Sequence, residues 1–143
     1  MNGKRNGKGR EYDYLNGKLI FEGEYLNDER DGYGKEYNNR GRLIFEGEYQ
    51  KDKKWKGKIK EYHNGILLLF EGEYLNEKKN GKGKEYDNDG KLKFEGQYIN
   101  GERNGKGKLY DYHGKLIFEG EYLNGKRNGK AKDMIKIIIL FMN

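Results

Sequence analysis

Five segments of the chain alternate strictly between apolar and polar positions. In the last of them, Leu116, Phe118, Gly120 and Tyr122 fall on one side, and Ile117, Glu119 and Glu121 on the other. The same Leu-x-Phe-x-Gly-x-Tyr order starts at Leu19, Leu43, Leu68 and Leu92. A period of two with aromatic residues on one side predicts a half-buried β-strand; a helix would scatter these residues around its axis. A turn-rich stretch such as "LNGKRNG" follows each segment, then a second short strand such as "KGKEY", then another turn such as "NDG" or "YHG". Asn-Gly and Asp-Gly supply the positive φ angles that tight hairpin turns require. Each unit therefore predicts one β-hairpin, and successive hairpins predict an antiparallel meander.

Phe-Glu-Gly begins at Phe21, Phe45, Phe70, Phe94 and Phe118, at spacings of 24, 25, 24 and 24 residues. A fixed period in this range means a repeat array. The array covers 1–133: a partial unit at 1–20, full units at 21–44, 45–69, 70–93 and 94–117, and a partial unit at 118–133. The divergent apolar tail, 134–143, is expected to cap the array as a final strand or to dock a partner. Its nine-residue run "MIKIIILFM" contains a lysine, far short of the ~20 residues a spanning helix needs.

A glycine in mid-strand needs a reason, because it weakens the strand. If Tyr122 pairs with Gly129, then Gly120 faces position 131, which is glycine in other units (Gly9, Gly34, Gly83, Gly107), while Glu121 faces Lys130 and Glu119 faces Lys132. One face then carries Glu–Lys cross-strand pairs. The other carries a glycine trough into which Phe and Tyr rings lie, substituting for a second layer. The Tyr of "KEY" falls on the lysine face unless a bulge intervenes.

Composition narrows the chemistry. Of 143 residues, 38% are charged and 33% hydrophobic, with 13 Tyr and 6 Phe. There is no Cys, Pro, Ser, Thr or Val. That excludes disulfides, cysteine metal sites, and thiol or serine and threonine hydroxyl nucleophiles. The net charge of +6 comes with interleaved Glu and Lys, not with basic blocks. It implies mild attraction to acidic surfaces without predicting nucleic-acid binding. The N-terminal "MNGKRNGKGREY" has no apolar core of a signal peptide.

"FEGEYLNGKRNGKGKEY" resembles the MORN repeat, whose pattern runs Tyr/Phe-x-Gly-x-Trp/Tyr, then Asn-Gly, then Gly-x-Gly. The segment "KLYDYHGKLIFEGEY" (108–122) is similar to the variant subtype of that repeat. The resemblance covers about residues 2–133. Tyr25, Tyr49, Tyr74, Tyr98 and Tyr122 stand where the pattern often has Trp. It implies a single-layered, twisted, elongated sheet and a non-catalytic scaffold for protein partners or for self-association. The alternatives it implies are a peripheral adaptor for anionic phospholipid and an accessory region of an enzyme lying outside this chain. A cytoplasmic location, at a membrane or cytoskeletal surface, goes with these roles. No cofactor is implied.

Glu46 and Glu48 lie about 7 Å apart along a strand, a separation at which paired carboxylates can cleave glycosides. Their recurrence beside lysines predicts an ion-pair ladder instead, and only Gln97 breaks the set. His63 and His113 occupy different places in their units and read as turn residues, neither metal ligands nor bases. Glycine–lysine stretches such as "NGKGK" lack the Ser or Thr and the helix of a phosphate loop. Lys4-Arg5, Glu29-Arg30, Lys78-Lys79, Glu102-Arg103 and Lys126-Arg127 share one turn and predict a net-basic edge. The 50–69 stretch is the exception, with an extra residue, the only Trp, Ile59 in place of Gly and dense lysines. The contact candidates are Trp55, Lys53, Lys54, Lys56, Arg103, Lys126 and Arg127, the last two left free at their turn tip.

Overall fold

The computed structural model describes residues 3–128 together with 132 and 133; the tail, with Ile135 to Met142, lies outside the described residues. The strands are β1 Gly7–Tyr12, β2 Leu19–Leu26, β3 Glu29–Tyr37, β4 Leu43–Gln50, β5 Lys53–His63, β6 Leu67–Leu75, β7 Lys78–Tyr86, β8 Leu92–Ile99, β9 Glu102–Tyr110, β10 Leu116–Leu123, β11 Lys126–Arg127 and β12 Lys132–Asp133. They form one antiparallel sheet in sequence order from β1 to β11, with β12 also pairing β10. This is the all-β meander of hairpins that the alternation predicts.

Glycines meet across the sheet. Gly23 pairs with Gly9 on one side and Gly34 on the other, and Gly34 pairs in turn with Gly47. Glu22 faces Lys35, and Glu119 faces Lys132 as the sequence predicts. A Cβ on Gly34 would lie 2.6 Å from the Phe21 ring and 3.1 Å from Tyr49. Phe21, Phe45, Phe94 and Phe118 are fully buried on this face, and Tyr25, Tyr49, Tyr98 and Tyr122 nearly so. The rings meet edge to face: Phe21 lies 5.6 Å from Tyr25 and 5.2 Å from Tyr49 of the next unit. Edge-to-face pairs add about 0.5–1.5 kcal/mol beyond their burial.

The hairpin register differs from the predicted one at one point. Tyr122 pairs with Arg127, not Gly129, as Tyr25 pairs with Arg30. Two-residue turns with both central φ angles positive, such as Asn27-Asp28 and Asn76-Glu77, fix this pairing. Asp31, Gly32 and Tyr33 then bulge against Glu24 before the Gly23–Gly34 pair is restored. The Glu24 carboxylate accepts the Tyr33 backbone N–H at 2.8 Å, and Glu73 accepts that of Lys82 at 2.6 Å.

The "KEY" bulge is present between Glu36 and Tyr37 against β4. Tyr37 nonetheless stays on the lysine face, donating its hydroxyl to Glu22 at 3.0 Å. Glu36 lands on the ring face, opposite both Phe21 and Phe45.

Gly34→Ala should destabilise the fold by about 1–3 kcal/mol, since a ring must move for the methyl group. Glu77→Gly should stabilise it by about 1 kcal/mol, because Glu77 holds a positive φ that favours glycine. Urea midpoints of the two variants check both signs.

Candidate functional site

The ring face is sealed by ion pairs. Arg30 lies with its guanidinium 4.1 Å from the Phe21 ring centre, bonds Glu11 at 2.8 Å and approaches Glu36 at 3.5 Å. Lys54 bonds Glu36 at 2.9 Å, and Lys79 bonds Glu61 at 3.1 Å while sitting 4.0 Å above Phe70. Arg103 lies 4.0 Å from the Phe94 ring centre and grips both oxygens of Glu85, at 2.7 and 3.0 Å. The same carboxylates accept the ring hydroxyls: Tyr25 donates to Glu11 at 2.6 Å, Tyr49 to Glu36 at 3.3 Å, and Tyr98 to Glu85. In the last "KEY" position Leu109 replaces Glu. Accordingly the Tyr122 hydroxyl is buried without a partner among the described residues.

These contacts set the titration. Burial raises the Glu11 and Glu85 carboxyls, but hydrogen bonds from arginine and tyrosine and the arginine charge outweigh it and hold both below their usual range. Burial and then the Glu11 hydrogen bond push Tyr25 up to about 12; burial and then Glu71 do the same for Tyr86, and burial and then Glu95 for Tyr110. Tyr49 and Tyr98 are raised further, burial leading in both.

The opposite face is open. It encloses a groove of about 1150 Å³ that crosses β4 to β10, with a further recess of about 740 Å³ over β1 to β3. The groove is lined by Glu of the even-numbered strands and Lys of the odd-numbered ones, six of each, over backbone whose glycines turn their missing Cβ to the ring face. The expected ion-pair ladder is not formed here. Glu and Lys are register partners, yet among the described residues of this face only Arg10 and Glu22 approach as an ion pair, at 3.6 Å. The carboxylates have other donors: Tyr86 bonds Glu71 at 2.9 Å, Tyr110 bonds Glu95 at 2.7 Å and Tyr33 bonds Glu46 at 3.3 Å. Lys82, Lys84, Lys106 and Lys108 make no ion pair among the described residues.

The contact candidates divide. Trp55, Lys53, Lys56 and Lys126 are exposed near the hairpin turns. Lys54, Arg103 and Arg127 are not free tips: Lys54 and Arg103 hold the ion pairs above, and Arg127 lies 4.4 Å from the Phe118 ring centre. Their place opposite Tyr49, Tyr98 and Tyr122 turns the side chains onto the rings. Sequence reasoning missed the structural role of Arg30 and Glu36. The signal was present as a recurring cation that register places opposite Tyr. Neither His63 nor His113 joins a cluster of three or more potential metal ligands among the described residues.

Acid and alkali should both loosen the array. Glu11 and Glu85 titrate below their unfolded value near 4.5, so their contribution is present above pH 4.5 and lost as pH falls below it. Tyr25, Tyr86 and Tyr110 titrate above their unfolded value near 10, so their contribution is complete below pH 10 and lost between pH 10 and 12. Thermal midpoints across pH should show a plateau bounded by these windows. Glu85→Gln should flatten part of the acid limb.

A family model for the MORN repeat matches residues 1–14, 21–42, 70–91, 94–115 and 118–132. It passes over 43–69, the stretch that holds Trp55 and Ile59. No curated protein matches the chain. MORN repeats are generally protein- or lipid-binding modules and are typically non-catalytic. With matches at five stretches over most of its length, on a meander of hairpins with the same repeat, this chain belongs to the MORN repeat family.

Proposed function

We propose that the chain is a non-catalytic protein–protein interaction scaffold that holds a partner, or a second copy, along its array. The observation that carries this reading is the division between the two faces. Rings, glycines and ion pairs occupy one face, whereas the groove face repeats unpaired lysines on every second strand, about 10 Å apart. Equivalent points at a fixed pitch suit a long partner held by several weak contacts, whose effects multiply through effective concentration. The groove is open along its length, which gives its carboxylates little of the shelter that an acid catalyst needs.

One feature supports a second reading, a peripheral adaptor for anionic membranes. Leu26, Leu75, Ile99 and Leu123 are exposed at equivalent turn positions; Leu75 faces Lys56 and Lys78 and Leu123 faces Lys126, while Leu26 and Ile99 face Glu29 and Glu102. Aliphatic side chains beside cations suit a headgroup interface.

Sizing in solution and affinity capture with the purified chain test the scaffold. The expected result is a dimer, or a partner retained in fixed ratio after a salt wash. Flotation with neutral vesicles, with and without acidic lipid, tests the adaptor. A strict monomer that retains no protein, floats only with acidic vesicles and stops floating as Trp55→Ala would replace the first reading by the second.

A further inference from the structure

We propose that the outer edge of β1 docks an extended strand of a protein partner, one that carries carboxylates on one side and an aromatic residue followed by a small one on the other; this rests on the scaffold reading. Each odd-numbered strand from β3 to β9 lies between two strands of the Phe-Glu-Gly type. β1 has β2 on one side and, among the described residues, no strand on the other. A strand edge of this kind is a template for one more strand.

The residues of β1 are covered on one side where their counterparts are covered on both. Gly34, Gly83 and Gly107 are buried between a Phe ring of the preceding strand and a Tyr ring of the following one. Gly9 meets Tyr25 alone, 2.9 Å from its Cβ position, and is half-buried. Arg30 and Arg103 lie 4.1 and 4.0 Å from the preceding Phe and 5.7 and 5.6 Å from the following Tyr, with side chains 19% and 21% exposed. Arg5 has only the following Tyr, at 4.5 Å, bonds Asp28 and is 52% exposed. Tyr37, Tyr86 and Tyr110 donate to Glu22, Glu71 and Glu95 of the preceding strand. Tyr12 holds the same place in β1, and its exposed hydroxyl has no partner among the described residues. Lys35 faces Glu22 and Glu46, whereas Arg10 faces Glu22 alone.

The register of β2 on β3 describes the strand that fits. Phe21 faces Glu36, Glu22 faces Lys35 and Gly23 faces Gly34. Transferred to β1, an aromatic residue faces Glu11, with its ring over Gly9 and beneath Arg5. The next residue, a carboxylate, faces Arg10 and accepts the Tyr12 hydroxyl. The third faces Gly9 and must be small, because a Cβ on Gly23 would lie 2.6 Å from the Gly34 backbone. Charge agrees. The acids of this edge are already engaged: Glu11 by Tyr25 and Arg30, Glu22 by Tyr37 and Arg10, Glu24 by the Tyr33 backbone N–H, and Asp28 by Arg5. Lys4 and Lys8 make no ion pair among the described residues.

Charge also argues against a second copy as the occupant. Two copies joined antiparallel at Gly9 would set Lys8 against Arg10, and like charges directly opposite are destabilising. The strand at the other end of the sheet carries Lys132 at the register place of Arg10. Every Phe-Glu-Gly strand of the chain already has neighbours on both sides. The docking strand therefore comes from a different protein.

The probe is a fluorescent peptide with the β2 sequence, LIFEGEYL, titrated with the full chain and followed by anisotropy. Wild type should bind it, and should bind the same peptide with Ala for Phe about tenfold more weakly or worse. Arg10→Glu should weaken binding of LIFEGEYL about tenfold or more. A peptide with Lys in place of its first Glu should bind Arg10→Glu better than it binds wild type, a rescue that mere fraying of β1 would not give. Tyr12→Phe, which keeps the ring, should weaken binding about threefold. Lys132→Glu, the equivalent change at the far end, should leave it unchanged. Equal binding of the Ala peptide, no rescue by the Lys peptide, or loss in Lys132→Glu instead of Arg10→Glu overturns the site. A wild-type dimer that Arg10→Glu separates places a second copy at this edge and overturns the partner strand. A protein captured equally by wild type and Arg10→Glu overturns this inference and leaves the scaffold standing. A chain that stays monomeric and captures no protein removes the scaffold reading and this inference with it.

Discussion

At Gly34 there is no room for a methyl group. The Phe21 ring lies on one side of the missing Cβ and the Tyr49 ring on the other, one from the preceding strand and one from the next. The same crowding recurs at Gly83, under Phe70 and Tyr98, and at Gly107, under Phe94 and Tyr122. A single-layered sheet has no second sheet to cover its apolar face. Removing the side chains from one line across the strands lets the neighbouring rings fold down and cover the backbone themselves. Every other feature depends on keeping that line in register, because a slip of one residue would turn the rings to the wrong face.

The rings are then closed from outside by charge. A guanidinium or ammonium lies over each Phe of the described residues, at 4.1 Å from Phe21, 4.0 Å from Phe70 and 4.0 Å from Phe94. A cation over an aromatic face contributes about 0.5–2 kcal/mol, more as it loses water. The Glu of "KEY" joins three parts at once: in Glu85 it accepts the Tyr98 hydroxyl and both arms of Arg103. These partly buried, multiply bonded pairs link one unit to the next, unlike exposed surface pairs, which are worth little. Saturation of the ring face leaves the groove face as the open one, which is where the scaffold reading would seat its partner.

The fold was legible because its two periods are strict. Alternation over two residues gave the strands, recurrence near 24 gave the array, and glycine against glycine gave the register of Gly23 with Gly34. The roles of Arg30, Arg103 and Arg127 were not legible. A cation beside a turn reads as solvated unless it is known that the tight turn places it opposite a tyrosine, and that the bulge at Asp31 to Tyr33 then absorbs the offset. The ladder was misread for a related reason. Register brings Cα atoms of Glu and Lys opposite each other, but nearby tyrosine hydroxyls and bulge amides compete for the same oxygens. Gln97 was visible as the one break in the set.

The central unit shows how much irregularity the register tolerates. On its β4 side, Gly57 meets Gly47; on its β6 side, Ile59 meets Gly72, two residues further on. A step of two preserves the faces, whereas a step of one would have inverted them. The bulge compensates: Trp55 and Lys56 stand against Glu48, one residue fewer than the three that stand against Glu24. Two added and one removed leave the single extra residue that makes this unit 25 long. Ile59 fills the vacated glycine position opposite Phe45 and is buried. The step also shows on the surface, since Tyr74 is less buried than its counterparts and Trp55 is exposed. It moves Lys58 as well, which faces Glu46 along one side of the groove and Glu73 along the other. The two rows of charge are therefore offset between the halves of the array, so a partner that spans the groove meets a different pattern on each side of β5.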